Sequence, residues 1–448
     1  MLPVERARET AQSLVEQARA AGADAADAIY VGSESQGVQV RLGELEQVDR
    51  SEGEEVGLRV FVGQRSASVA SSDFSPDVLA ELVRRAVAMA REAPEDPFSG
   101  LAPADLLSHG DFPDIQSEDQ STDEPDQLRA RALAAEGAAL AVGGVTNSGG
   151  ASAGTSAGTM ALATSTGFSG AHRSTGHSCS VSVIAGEGAT MQRDSAWHGV
   201  RHLDDLDDPE KIGRLAGERA IAKLNPGKPK PGRYPILFDP RVAGSLLGHF
   251  VGAITGSSVA RKSSFLQEKL GQQVFGSGVR IIDDPLRARG LRSRPFDGEG
   301  LPVSITALID AGILLTWLAD SASARQLGIQ PTGHAVRGAS GPPGAGPSNL
   351  YLAAGTRSRD ELMAAFPEAV LVTELIGQGV NGVTGDYSRG AAGFIIRGGQ
   401  IAEPVAEITI ASNLLDMFAT LEPGSDLEFR RGVDSPTLLI PEMMVGAA

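Results

Sequence analysis

One stretch limits what this chain can fold into more than any other: Asn225-Pro-Gly-Lys-Pro-Lys-Pro-Gly232. Proline fixes φ and removes a backbone donor, so a run this rich in Pro and Gly continues neither a helix nor a sheet. A helical pattern runs from Asp208-Pro209 to Leu224 before it, and a strand pattern, Tyr234-Pro-Ile-Leu-Phe238, begins after it. The chain therefore divides there into residues 1–225 and 226–448. Its length agrees, because 448 residues exceeds the size at which one hydrophobic core keeps growing.

The apolar fraction of 41% suffices for two buried cores, and 55 glycines with only 4% aromatics require many turns and close backbone approaches. Thirty-nine basic against 56 acidic residues leave a formal charge of −17. Phosphate contacts need clustered cations, and the densest basic stretch here, Lys223 to Arg233, is the proline-rich break itself, so nucleic acid is not an expected partner. No run approaches about 18 consecutive apolar residues, so no membrane partner is expected either. The opening MLPVERARET lacks the apolar core of a secretory signal. Cys179 is the single cysteine, which excludes an internal disulfide framework. A cytoplasmic protein is the expectation.

In the first half, Val4, Ala7, Ala11, Leu14, Val15 and Ala18 share one face at helical spacing, and Gly22 ends the run. Asp27 to Val69 changes to short β-branched stretches with frequent Gly, which suggests an antiparallel meander. Ser75 can cap a second helix with Pro76 at its first position. Ala93 to Pro125 reads as loop, and about Asp126 to Ala141 as a third helix. Gly143 to Gly170 is almost all Gly, Ser, Thr and Ala; alone this favours a flexible linker. The following stretch argues for order instead: Ser178, Ser180 and Ser182 alternate with Cys179, Val181 and Val183, a half-buried strand.

The second half opens with its strand and then a helix capped by Asp239, with Val242, Leu246, Leu247, Phe250, Val251 and Ile254 as its buried stripe. Beyond it the signal is mostly β. Val303, Ile305, Ala307 and Ile309 alternate, Asp310-Ala-Gly312 turns, and Ile313 to Leu318 returns. Gly398-Gly399 joins two strands as a two-residue hairpin turn. The class is α+β: N-terminal helices packed on an antiparallel sheet, then a largely antiparallel β domain with a helix at its start.

Three motif matches resemble chemistry without its context. Gly154-Thr-Ser-Ala-Gly158 fits a nucleophile elbow but lies in low complexity, not between a hydrophobic strand and a helix. Gly377-Gln-Gly-Val-Asn-Gly382 fits a dinucleotide fingerprint, yet a turn and a hairpin follow it instead of a helix. His172, His177 and Cys179 are zinc-type ligands, with His198 and His202 one turn apart if that stretch is helical. Cys179 on the apolar face of its strand reads better as a buried thiol beside a satisfied histidine.

Longer blocks are more specific. Arg233 to Gly252, Ala260-Arg-Lys-Ser-Ser-Phe-Leu266, Thr332-Gly-His334, Glu374 to Val380, Thr384-Gly-Asp-Tyr-Ser-Arg-Gly-Ala-Ala-Gly-Phe394 and Pro404 to Ile410 resemble the TldE/PmbA half of the TldD/TldE peptidase family. The resemblance spans essentially the whole chain and is densest from Tyr234 to Pro441. In that family the zinc-bearing subunits carry H-E-x-x-x-H on the helix that here begins at Asp239. Aligned on Gly244-Ser-Leu-Leu-Gly-His-Phe-Val-Gly-Ala253, the ligand positions fall on Gly248 and Ala253, and the glutamate position on His249. The cysteine ligand expected near the C-terminus is absent. A catalytic zinc needs about three protein ligands and a carboxylate to take a proton from its water. The resemblance therefore implies a chain with no catalytic residue and no metal ligand of its own, with zinc supplied by a partner subunit.

It further implies a hetero-oligomer with a TldD-like zinc subunit, or a homodimer when alone, acting on unfolded or modified peptides and on leader segments. An extended peptide substrate suits exposed sheet edges, which bind added strands through the main chain. His334, Gly377, Gly379, Asp386, Tyr387 and Arg389 are the candidate chamber or interface residues. A reading of a different class is a non-proteolytic regulator, of gyrase-modulator or antitoxin-interacting type, whose acidic surface engages a basic partner.

Overall fold

The computed structural model describes residues 1–447. In the first half, α1 (Val4–Ala20) and α2 (Pro76–Glu92) flank a six-stranded sheet, joined by α3 (Pro125–Leu140) and α4 (Pro209–Ala222). Its strands are β1 (Ala25–Arg41), β2 (Glu44–Val62), β3 (Arg65–Ser71), β4 (Val145–Thr164), β5 (Ser169–Ala185) and β6 (Gln192–Val200). They lie in the order β3-β2-β1-β4-β5-β6, antiparallel throughout. Ala26, Ala28 and Tyr30 of β1 meet α1 and α2, while Val38 and Val40 of the same strand meet α3 and α4. The period of two along β1 puts all five on one face, so the four helices cover one side of a long sheet.

The low-complexity stretch is not a linker: it is β4, twenty residues long and paired on both edges. Two neighbouring strands satisfy its backbone, and its small side chains let α3 lie close against it. Ser75 holds the N-cap position of α2, but its side chain caps nothing. Asp208 does cap α4, accepting from the amides of Glu210 and Lys211.

The proline-rich break is followed by β7 (Gly232–Phe238) and α5 (Pro240–Ile254). The main sheet of this half adds β8 (Glu368–Ile376), β9 (Asp386–Arg397), β10 (Gln400–Asn413) and β11 (Leu438–Ala447). It runs β10-β9-β8-β7-β11, and β11 pairs back onto β10 at Ile410↔Val445, closing the strands on themselves. Gly398 and Gly399 both have positive φ, 56° and 80°, as the β9–β10 hairpin turn requires. The sheet is mixed, not wholly antiparallel: β7 and β8 run parallel, because α5 and a long excursion separate them in sequence.

The alternation over Val303–Ile309 yields a shorter strand than expected, Thr306–Asp310, with only Ile313–Leu314 returning. Leu308 and Ile309 are both buried and Ile305 is 61% exposed, so burial there does not follow the period of two. The return ends because Leu318 leaves to donate its amide to the Ile254 carbonyl at the end of α5. The far face of the first sheet, at Ile29 and Leu162, and Phe168 in the turn between β4 and β5 pack on Phe296, Leu301 and Ala339 of the second half. Ion pairs between Arg337 and Asp27 (2.6 Å), and Lys223 and Glu374 (2.9 Å), cross the same junction.

Candidate functional site

α5 starts where Asp239 accepts the Arg241 amide at 3.0 Å and Pro240 supplies a preset φ. Ala243, Leu246, Leu247, Phe250, Ala253 and Ile254 turn to the core, which leaves His249 on the flank, half-buried, facing β9. On β9, Tyr387 and Arg389 share the buried face by the strand period. The His249 and Tyr387 rings meet edge to face, centroids 6.0 Å apart. Arg389 is 9% exposed and forms no ion pair or well-formed hydrogen bond among the described residues. Burial, aided by the Arg389 charge, holds the His249 pKa below its usual value, so the ring is neutral. Burial pushes Tyr387 up to about 12 despite the nearby guanidinium, so the hydroxyl keeps its proton.

The other candidates lie elsewhere. His334 is buried against Thr332 (3.0 Å) and Asp283 (3.5 Å), and Asp283 also holds the Ser348 amide and hydroxyl. Asp386 points to the exposed face of β9, where the Thr384 hydroxyl and then the Asn413 amide hold its carboxyl below the usual range. Gly377 needs its φ of +79°, and Gly379 is pressed on β9 so closely that a Cβ would sit 2.0 Å from the Ser388 carbonyl oxygen. These two glycines fasten the loop before β9 and so set where Tyr387 and Arg389 stand. In the sequence His249 and Arg389 stand out for separate reasons; the α5–β9 contact that joins them is between distant segments and leaves no local signal.

The first-half histidines do not converge on a metal. His198 and His202 are not on a helix, because that stretch is β6 and the turn after it. His177 sits between Asp119 and Asp123, each 3.3 Å away, while Cys179 is fully buried and its thiol pKa is pushed up to about 11 by burial. His172 packs on the Phe296 ring at 5.5 Å, and burial followed by the Arg201 charge lowers its pKa to about 4. Ser156 lies exposed in the middle of β4, with no helix after it. Gly377 to Gly382 leads into β9, not into a phosphate-binding helix. Glu299 is buried at the junction of the halves with its pKa raised to about 7, and nothing in Asp297-Gly-Glu299 sets it apart from any turn in the sequence.

This arrangement of a helix laid on a closed mixed sheet, beside a long helix-covered antiparallel sheet, agrees with known proteins. Three family models match: PmbA/TldA metallopeptidase domain 1 over residues 26–90, the central domain over 118–224, and the C-terminal domain over 231–447. The chain belongs to the PmbA/TldD metallopeptidase family. It is 39% identical over 410 residues to metalloprotease PmbA of Escherichia coli O157:H7, covering 91% of this chain and 89% of that one. A PmbA homolog from Haemophilus influenzae is 35% identical over 441 residues, 98% of this chain and 95% of the other. The crystal structure of TldE from Thermococcus kodakarensis shares the fold, with a TM-score of 0.87 at 19% identity over 98% of this chain and 100% of that one.

The residues here do not fit the zinc ion that the sequence resemblance implies for the metal-bearing subunits. Gly248 and Ala253 present no donor atom; Gly248 lies on the exposed side of α5 and Ala253 in the core. The Arg389 guanidinium acts on His249 and opposes a cation there. Among the described residues no three His, Cys, Asp or Glu side chains gather as a metal site.

Proposed function

We propose that this chain is the zinc-free subunit of a PmbA/TldD-type metallopeptidase complex. The observation that carries the reading is on α5: positions that would hold metal ligands are Gly248 and Ala253, and the position of the catalytic glutamate is a neutral His249 beside Arg389. Hydrolysis of a peptide bond by zinc needs a metal-bound water and a base, and this site supplies neither. The zinc and glutamate come from a TldD-like partner, and this chain contributes binding surface for an extended peptide. Strand β2 supports that role, since residues 44–55 run beyond the reach of β3 and leave an open edge on that side. Unfolded or modified peptides and leader segments are the substrates, and the complex works in the cytoplasm.

Co-purification from the native host followed by metal analysis tests the assignment. One zinc per pair of subunits, none of it staying with this chain after separation and mild chelation, is the expected result. Stoichiometric zinc on the isolated chain contradicts it.

A further inference from the structure

Three polar atoms at the contact of α5 and β9 are buried and unanswered: Arg389 Nε, the Tyr387 hydroxyl and His249 Nε2. Leaving such an atom without a hydrogen bond is costly, and a charged group more so. Buried arginines are normally paired. Others in this chain obey that rule: Arg59 and Arg337 share Asp27, and Arg131 holds Asp123 with two hydrogen bonds. Arg294, without a close carboxylate, donates to the carbonyls of Ala335 and Gly346. Arg389 has neither kind of partner among the described residues. Its guanidinium reaches the Tyr387 hydroxyl and, against the larger effect of burial, lowers that group's pKa by its charge and by a hydrogen-bonding contact, though Arg389 Nε and the hydroxyl are left short of good hydrogen-bond geometry.

With imidazole and phenol both neutral, the cluster offers one positive charge, a phenolic hydroxyl donor and an imidazole with one N–H. A guanidinium fork matches the two oxygens of a carboxylate, and such charge-assisted pairs are the strong ones. Gly248 and Gly252, beside His249 on α5, are exposed, and a Cβ added at either meets nothing within 4 Å. We infer that Arg389, Tyr387 and His249 form a carboxylate-binding site on this chain. The source of the carboxylate rests on the functional reading above. In a peptidase complex it is the C-terminus of the bound peptide or an acidic side chain of the partner subunit; binding itself is testable without that reading.

The test uses the full chain with its histidine rings labelled for NMR, the His249 signal being assigned by its loss in His249→Gln. The probes are an N-acetylated tripeptide with a free C-terminal carboxylate and the same peptide as its C-terminal amide. The expected result is a saturable shift of the His249 signal with the acid, at least tenfold weaker binding of the amide, and loss of the response in Arg389→Met. Arg389→Lys should keep a weakened response, and unchanged signals from the remaining histidines show that each variant is folded. If the acid peptide gives no response, the partner arm decides: Arg389→Met, but not Arg389→Lys, should weaken assembly with the zinc subunit at least tenfold by sedimentation. That outcome assigns the carboxylate to the partner. Equal binding of acid and amide, or no effect of Arg389→Met in either arm, overturns the site.

Discussion

Glu299 sits 4% exposed at the junction of the halves, where its carboxylate accepts the Ser321 amide at 2.8 Å. Burial is the main cause of its raised pKa, with Asp297 nearby adding to it. A carboxyl whose folded pKa lies above its unfolded value of 4.5 contributes fully below that pH, and the contribution is lost as pH rises to about 7. A shift of this size corresponds to about 3 kcal/mol. Glu299→Gln should therefore melt higher than the parent at pH 8, with the difference shrinking towards pH 5; a difference independent of pH would refute the assignment. The sequence shows Glu299 only as a charge in a turn, because its pKa comes from residues brought together by the fold. The orphaned cluster is hidden for the same reason. Gly248 and Ala253, by contrast, were legible in full, since the missing donor atoms are a matter of identity alone.

Among the elements, the contact of α3 with α4 sets two effects of known sign against each other. Glycine inside a helix costs roughly 1 kcal/mol relative to alanine. A Cβ at Gly213 of α4, however, would lie 2.1 Å from the Ala135 carbonyl oxygen of α3, and overpacking costs about 1–3 kcal/mol. Gly213→Ala should lower stability in urea unfolding. Gly137→Ala on α3, where a Cβ meets nothing within 4 Å, should raise it by about 0.5–1 kcal/mol. Equal effects at both sites would mean that the helices are not in contact as described. The helices themselves were readable because apolar spacing, Pro209 or Pro240 at the first position and an aspartate cap all agree. β4 was not, since Gly, Ser, Thr and Ala carry no apolar alternation; its order comes from β1 and β5 on either side. The parallel pairing of β7 with β8 spans more than a hundred residues and has no local signature.

On the scale of the whole molecule, the proline-rich break lies between two separate strand systems. It does not foretell how closely the halves join. Gly57 on β2 makes the point: a Cβ there would sit 2.0 Å from the Ala339 carbonyl oxygen of the other half. That close junction fixes the first sheet against the segment of the second half that carries Phe296 and Leu301. Membership of a metallopeptidase family, together with an α5 that offers no metal donor at Gly248 or Ala253, makes the division of labour between two subunits the central claim. The most direct measurement of it is peptide hydrolysis by this chain alone, by a TldD-like zinc subunit alone, and by the two mixed, each with and without a chelator. This chain alone should stay inert, and the mixture should cleave peptide until the chelator is added. Cleavage by this chain alone, whether or not a chelator stops it, would mean that it carries a catalytic site of its own.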